Sequence, residues 1–281
     1  MIQDMERGRL ENEFYIKEPS DGDAVLFYRG NDVLIKDTDG GEADFPLFSE
    51  VKALFGEDGY IYLFALGGRN YFMPESFCAA ESDGWRYEGV RGLYTIMPKE
   101  LCFAAMTGKH LYYWYGSNRF CGVCGEKTQR DTRERMLYCP RCGNMMYPRI
   151  NPAVIIGVTD KDRLLMSRYA GRLTGRLALI AGYTEIGETL EQTVIREVKE
   201  ETGLDVCNIR YYKSQPWGID GNILMGFFCD LKGDDTIKID ENELSFAGWF
   251  SREEITCTDN GISLTEEMIS FFKNRKEEDE P

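Results

Sequence analysis

GYTEIGETLEQTVIREVKEETGL, running from Gly182 to Leu204, decides how this chain is read. It holds a glycine, five residues, Glu188, seven residues, Arg196-Glu197, Val198, one residue, Glu200-Glu201, one residue, Gly203 and Leu204. Its spacing predicts a helix from about Thr189 to Thr202, on which Glu197, Glu200 and Glu201 stand at i, i+3 and i+4. Carboxylates so placed share one face and repel one another without a counterion. With water and substrate phosphates they form the oxygen ligand set that suits Mg²⁺, and Mn²⁺ accepts the same oxygens. Thr189 or the preceding turn caps the helix start and Gly203 stops it, and the free N–H groups of the first turn favour phosphate oxygens. The alternative is a solvated glutamate-rich face, the usual meaning of an isolated charge run.

Outward from this helix the pattern is that of a mixed sheet with covering helices. Strands are expected at Ala153–Val158, Arg163–Ser167 and Leu177–Ala181 before it, and around Val206–Tyr212, Ile223–Leu231 and Ala247–Phe250 after it. Lys273 to Pro281 is charged and expected to fray. Nearer the amino terminus, Ala24–Lys36 and Tyr60–Phe72 are β-rich runs broken by turn residues, which predicts two hairpins. Lys99 to Tyr115 has near-helical apolar spacing and ends at Gly116-Ser117. This first region reads as α+β and carries no catalytic motif. The expected division is an amino-terminal α+β domain (1–117), a cysteine-marked unit (118–147) and a carboxyl-terminal domain (148–281).

Composition sets limits. The 281 residues are 43% hydrophobic and 29% charged, values of an ordinary globular chain. Apolar stretches fall well short of the roughly 18 residues of a membrane span, and the amino terminus lacks an apolar signal core, so a cytoplasmic protein away from membranes is expected. A net charge of −15 argues against a broadly basic nucleic-acid surface. The nine cysteines comprise two CxxC pairs and five singles, an odd number that suits reduced thiols better than a disulfide framework.

Those pairs, Cys121/Cys124 and Cys139/Cys142, are 14 residues apart, close to zinc-ribbon spacing. Four thiolates can converge as a closed tetrahedron with no position left for water, so the Zn²⁺ they bind is structural and contributes folding free energy. A redox dithiol is the other meaning of CxxC. The only histidine, His110, lies on the aromatic-rich helix and reads as packed, so a histidine-based mechanism is not expected.

The 182–204 segment resembles the Nudix box at every defined position, and the chain is identified as similar to the Nudix hydrolases. The resemblance implies an α/β/α sandwich with a mixed sheet, and hydrolysis of a diphosphate joined to a second moiety. It implies Glu197, Glu200 and Glu201 as metal-binding carboxylates, with Arg196 and Glu188 strapping the loop to the helix. A zinc ribbon ahead of the box resembles the NADH pyrophosphatase branch, which splits NAD(H) into NMN(H) and AMP; that likeness covers about Arg91 onward. Ser214-Gln215-Pro216-Trp217 matches the opening of the branch motif SQPWPFPxS. Gly218, Ile219, Asp220, Gly221 and Asn222 then depart from it, losing two prolines and the final serine. The segment reads as a substrate loop, and its departure keeps ADP-ribose, a dinucleoside polyphosphate or an NAD cap on RNA as alternative substrates.

The same resemblance places Tyr147, in MMYPRINP, and Tyr183, inside the box, as ring-stacking aromatics contributed by different subunits of a homodimer. Base stacking of this kind gives about 1–3 kcal/mol. Glu243, in IKIDENELSFAGWF, takes the place of a further metal ligand or base, and Glu134 and Arg91 match substrate-contacting positions. The implied reaction is metal-assisted attack of water on phosphorus, with Glu201 or Glu243 taking the proton.

Overall fold

The computed structural model describes residues 1–5, 8–38, 41–57, 59–76, 84–171, 176–256 and 259–274. The chain forms two compact units, one of residues 2–150 with 217–221, the other of residues 1, 151–216 and 222–281.

In the first unit short strands build two sheets. β1 (Leu10–Glu11), β2 (Ala24–Val25), β3 (Tyr28–Arg29), β4 (Asp32–Asp37) and β5 (Ala43–Asp44) precede helix α1 (Phe48–Phe55), and β6 (Tyr60–Leu66), β7 (Arg69–Pro74) and β8 (Trp85–Gly89) follow it. The strands order as β1-β6-β7-β2 and as β3-β4-β5 with β8 also on β4. The expected hairpin at 60–72 forms, as β6 and β7 turning at Gly67-Gly68. The other expected hairpin is only partly present. β3 and β4 pair, but Ala24–Val25 leaves them to run parallel to β7 in the other sheet. Val25, Phe27 and Leu34 bury against Phe48 and Val51 of α1, so both sheets share apolar cover. Helix α2 spans Lys99–Ser117, two residues beyond the expected end.

Residues 118–150 belong to this same unit. They form a three-stranded sheet of β9 (Gln129–Arg130), β10 (Leu137–Tyr138) and β11 (Met145–Met146), in the order β11-β10-β9. Arg135 donates to Asn12 Oδ1 at 2.7 Å and to the Leu63 carbonyl, and Arg130 pairs with Glu75, fastening the ribbon to the preceding strands.

The second unit is the expected sandwich. β12 (Asn151–Asp160), β13 (Arg163–Tyr169), β14 (Ile180–Tyr183), β15 (Asp205–Trp217), β16 (Asn222–Lys232) and β17 (Leu244–Ser251) form a mixed sheet. Its order is β15-β16-β12-β13-β17 with β14 on β12, and β12 and β16 pair in parallel. Side chains of a strand alternate between faces. Val154, Ile156 and Val158 therefore join Val194 and Val198 of helix α3 (Leu190–Thr202), while Ile155 joins Met268, Ile269 and Phe272 of helix α4 (Leu264–Asn274). Two expectations shift. The strand expected at Leu177–Ala181 runs instead from Ile180 to Tyr183, with Ala178 making one isolated bridge to Ser167. The strand expected at 206–212 continues to Trp217, so SQPW is strand rather than loop. The charged carboxyl end lies outside the described residues from position 275.

No described helix is long and apolar enough to cross a membrane.

Candidate active site

Helix α3 is built as its sequence requires. The Thr189 hydroxyl accepts from the Gln192 N–H at 3.2 Å and the Gln192 amide oxygen accepts from the Thr189 N–H at 2.8 Å, a reciprocal cap. Gly203 closes the helix in the left-handed region, φ 73°. With Val194 and Val198 turned to the sheet, Glu197 and Glu201 are drawn inward beside them and are 8% and 1% exposed. Glu200 stays outside. An ideal Cβ on Gly182 of β14 would stand 2.0 Å from the Glu197 carboxyl carbon, so the first glycine of the motif is the space that this carboxylate fills.

Arg196 braces the group. Its Nε donates to Glu188 Oε1 at 2.6 Å and its Nη2 to Glu188 Oε2 at 2.9 Å, a bidentate pair, and Nη2 also reaches the Tyr183 carbonyl at 2.9 Å. Its Nη1 donates to Glu197 at 2.7 Å and to Glu200 at 3.0 Å. Glu188 also accepts from the Glu185 N–H and the Thr193 hydroxyl, each at 3.0 Å. The Arg196 bond above all pulls the Glu188 carboxyl down to about 2, and the same pair raises the Arg196 guanidinium. The resemblance implies Arg196 and Glu188 as a strap; Thr193, one turn after the cap, shares that carboxylate and lies outside the motif's defined positions.

Glu201 has no such partner. Both its carboxylate oxygens are buried and accept no hydrogen bond from the described residues. Burial first, then the charges of Glu197, Glu243, Asp240 and Glu200, push its carboxyl up to about 8. Glu197 is raised in the same direction, chiefly by burial. A buried carboxylate with both oxygens orphaned is costly, and a divalent cation is the partner that fits it. Glu243 is exposed on the turn before β17, which is tied to α3 by the Asp240 N–H on the Glu201 carbonyl at 3.0 Å. That tie brings its charge within reach of Glu197 and Glu201. Among the described residues the glutamates do not bring three ligand oxygens within 4.8 Å of one another, whereas the cysteines bring four sulfurs that close.

The Sγ atoms of Cys121, Cys124, Cys139 and Cys142 lie within 4.8 Å of one another, with contacts of 3.6 Å (Cys121–Cys142, Cys124–Cys142) and 3.4 Å (Cys124–Cys139). Four sulfurs at about 2.3 Å from one zinc stand about 3.8 Å apart, so the cluster fits a structural zinc site closely. Each CxxC turns back on itself, the Gly125 N–H to the Cys121 carbonyl at 2.8 Å and the Gly143 N–H to the Cys139 carbonyl at 2.9 Å. The Val123 N–H on the Cys121 sulfur draws that thiol down to about 6, toward the thiolate a metal needs.

Comparison with known proteins matches the two regions that carry these clusters. The family model of the NUDIX domain matches residues 149–270, and that of the NADH pyrophosphatase zinc ribbon domain matches residues 117–147. The chain is 45% identical over 134 residues to the NAD-capped RNA hydrolase NudC of Vibrio atlanticus, a match covering 48% of this chain and 49% of that protein. It is 32% identical over 209 residues to the protein of the same name from Stutzerimonas stutzeri, covering 74% and 75%. The chain is a Nudix family member of the branch that carries this zinc ribbon. In the first matches the Nudix chain spans about half the length of its curated relatives, 49% for Vibrio atlanticus and 58% for Pseudomonas aeruginosa. A crystal structure of a NUDIX hydrolase from Nitrosomonas europaea is similar at TM-score 0.48 and 22% identity, covering 56% of this chain and 92% of that one.

The remaining positions of the Nudix chain divide by unit. In the second, Tyr183 is 53% exposed and its hydroxyl accepts from Asn222 Nδ2 at 3.1 Å. Gln215 is fully buried on β15, where its amide donates to the Ile262 carbonyl at 2.7 Å and accepts from the Leu264 N–H at 2.8 Å. Those bonds fasten the start of α4, a structural task for one residue of SQPW. In the first unit, Tyr147 is 52% exposed, and its hydroxyl is raised by partial desolvation and then by the neighbouring Glu134. Arg91 holds Asp220 through Nη2 at 2.7 and 2.9 Å, and the Trp217 indole N–H donates to the same carboxylate at 3.0 Å. His110 is half-buried and bonds the Arg149 carbonyl at 2.7 Å, consistent with a packed residue.

Proposed function

We propose that this chain hydrolyses the diphosphate linkage of NAD(H), giving NMN(H) and AMP, with Mg²⁺ or Mn²⁺ held by Glu197, Glu200, Glu201 and Glu243. The observation that carries the reading is Glu201, a buried carboxylate with two unpartnered oxygens on an arginine-braced helix. A divalent cation there supplies positive charge for the diphosphate and lowers the pKa of an attacking water. Glu201, or Glu243 beside it, is the base that takes the proton from that water. Arg196 holds Glu197 and Glu200 at the edge of the site and closes the Glu188 loop over the helix start. Tyr147 and Tyr183 expose their rings, as residues that stack on a base or nicotinamide must. The Trp217–Asn222 segment, Glu134 and Arg91 complete the substrate contacts in this reading.

A second reading takes the NAD cap of an RNA as substrate, favoured by the relatives, which are NAD-capped RNA hydrolases. ADP-ribose and dinucleoside polyphosphates keep the same chemistry with a different second moiety. Free thiols at Cys102, Cys207 and Cys229 suit the cytoplasm, and two exposed tyrosines meant for one ligand suit a homodimer; sedimentation of the purified protein checks the latter. The substrate is tested by incubating the protein with NADH, NAD⁺, ADP-ribose and NAD-capped RNA under Mg²⁺ or Mn²⁺ and identifying products. AMP and NMN(H) are expected from NADH and NAD⁺; failure to release them from either would sink the proposal.

A further inference from the structure

Where the branch motif places two prolines after the tryptophan, this chain has Gly218 and Asp220 about Ile219. Proline fixes φ and narrows the freedom of a turn before any contact is made. A turn without it must take its shape from its surroundings. Here the surroundings are dense. An ideal Cβ on Gly218 would stand 2.1 Å from the Met106 carbonyl of α2, so the backbone lies directly on that helix. Asp220 is held by Arg91 and by the Trp217 indole.

Beneath the turn, and inside the core, is Lys109. It is 1% exposed, and its Nζ donates to the Ile219 carbonyl at 3.0 Å and to Asn31 Oδ1 at 2.8 Å, with the Tyr113 ring centre 5.3 Å away. A buried ammonium is expensive unless its protons are bonded, and burial lowers the Lys109 ammonium from its ordinary value. Two of its three donors are spent on oxygens, one of them a main-chain carbonyl of the turn itself. A charged donor on a carbonyl is stronger than a neutral one. Nothing in the spacing of α2 marks Lys109 out, because its acceptors, Asn31 and the Ile219 carbonyl, are brought to it only by folding.

We propose that Lys109 is the positioning residue of the Trp217–Gly221 turn, replacing by one buried hydrogen bond the rigidity that prolines give this turn elsewhere, and so setting how tightly a dinucleotide binds. The proposal rests on the reading that this turn faces substrate.

The test compares Lys109→Met, Lys109→Arg and Trp217→Ala in the full chain, by amide hydrogen exchange and by steady-state hydrolysis of NADH. In Lys109→Met the amides of residues 218–221 are expected to exchange at least about tenfold faster, those of α3 unchanged, with KM up about tenfold and kcat within about threefold. Lys109→Arg, which keeps a charged donor, restores most of the KM and carries the test if the methionine variant does not fold. Unchanged exchange at 218–221 overturns the proposal. So does loosened exchange with an unchanged KM where Trp217→Ala raises KM. Should KM stay unchanged in Trp217→Ala as well, the turn does not face substrate, and it is the underlying reading that fails.

Discussion

Two clusters of metal-seeking side chains sit in this molecule, and they are prepared in opposite ways. In the ribbon, four sulfurs already lie within 4.8 Å of one another, set there by two backbone turns. On α3 the carboxylates are kept from converging: Arg196 draws Glu197 and Glu200 toward itself, and Glu201 is left buried and unbonded. The difference fits the two roles proposed for them. A closed tetrahedron has nothing left to offer a substrate and stabilises the fold. A carboxylate whose ionisation the protein opposes gains most when a cation and its phosphates arrive, which is the behaviour needed at a site of turnover.

The largest expected effect that would separate the two comes from Glu201→Gln. Turnover should fall by roughly a thousandfold or more, while zinc content stays at one per chain. The variant should also be more stable than the parent at pH 8 in Mg²⁺-free buffer, by about 1–3 kcal/mol once solvent screening is allowed for. A variant that is dead and also destabilised would mean that Glu201 serves packing rather than charge. Next comes Cys139→Ser. It should lower the melting temperature of the ribbon's unit by roughly ten degrees or more with loss of bound zinc. Mg²⁺ or Mn²⁺ binding at α3, read by titration calorimetry, should persist. Loss of both metals together would show that the sites are not independent.

Much of this contrast is legible in the sequence because both motifs are local. CxxC spacing fixes which sulfurs can meet, and helical spacing fixes which carboxylates share a face, whatever the rest of the chain does. The caps at Thr189 and Gly203 and the alternation along β12 are local in the same sense. What the sequence hides is set by chain segments that meet only after folding. SQPW reads as a substrate loop from its likeness to the branch motif after a complete box, yet it continues strand β15, and Gln215 turns inward to hold Ile262 and Leu264. Ala24–Val25 reads as half of a hairpin, yet it crosses to β7. The buried state of Glu201 and the service of Gly182 to Glu197 both depend on how β14 lies against α3, which spacing does not state.

Gly182→Ala sharpens the contrast at intermediate size. The added methyl collides with the Glu197 carboxyl carbon, and a strand has little room to yield, so the carboxylate must leave its seat. Activity should fall by about ten- to a hundredfold and stability by about 1–3 kcal/mol. Gly125 and Gly143 in the ribbon have no neighbour within 4 Å of such a methyl, only a positive φ. The corresponding alanines there should cost stability with no loss of turnover per folded molecule.

The smallest effect is a dependence on pH, and its sign differs between two glutamates of one motif. Glu188 is lowered from 4.5 to about 2, mainly by its bond to Arg196. Its stabilising contribution is therefore complete above pH 4.5 and fades as pH falls toward 2, since the unfolded chain takes up the proton first. Glu201 is raised from 4.5 to about 8, mainly by burial. The unfolded chain releases that proton near 4.5 while the folded chain keeps it, so stability declines as pH rises from 4.5 to 8 and is level beyond. Urea denaturation of the parent, Glu188→Gln and Glu201→Gln across pH 3 to 9 in Mg²⁺-free buffer isolates each slope by subtraction. Glu188→Gln should flatten the acid limb alone, and Glu201→Gln the limb between 4.5 and 8. Adding Mg²⁺ or Mn²⁺ to the parent should remove the second slope and leave the first, because only Glu201 lacks a partner that the protein itself provides. If the cation changes neither slope, the unbonded carboxylate is not where it binds.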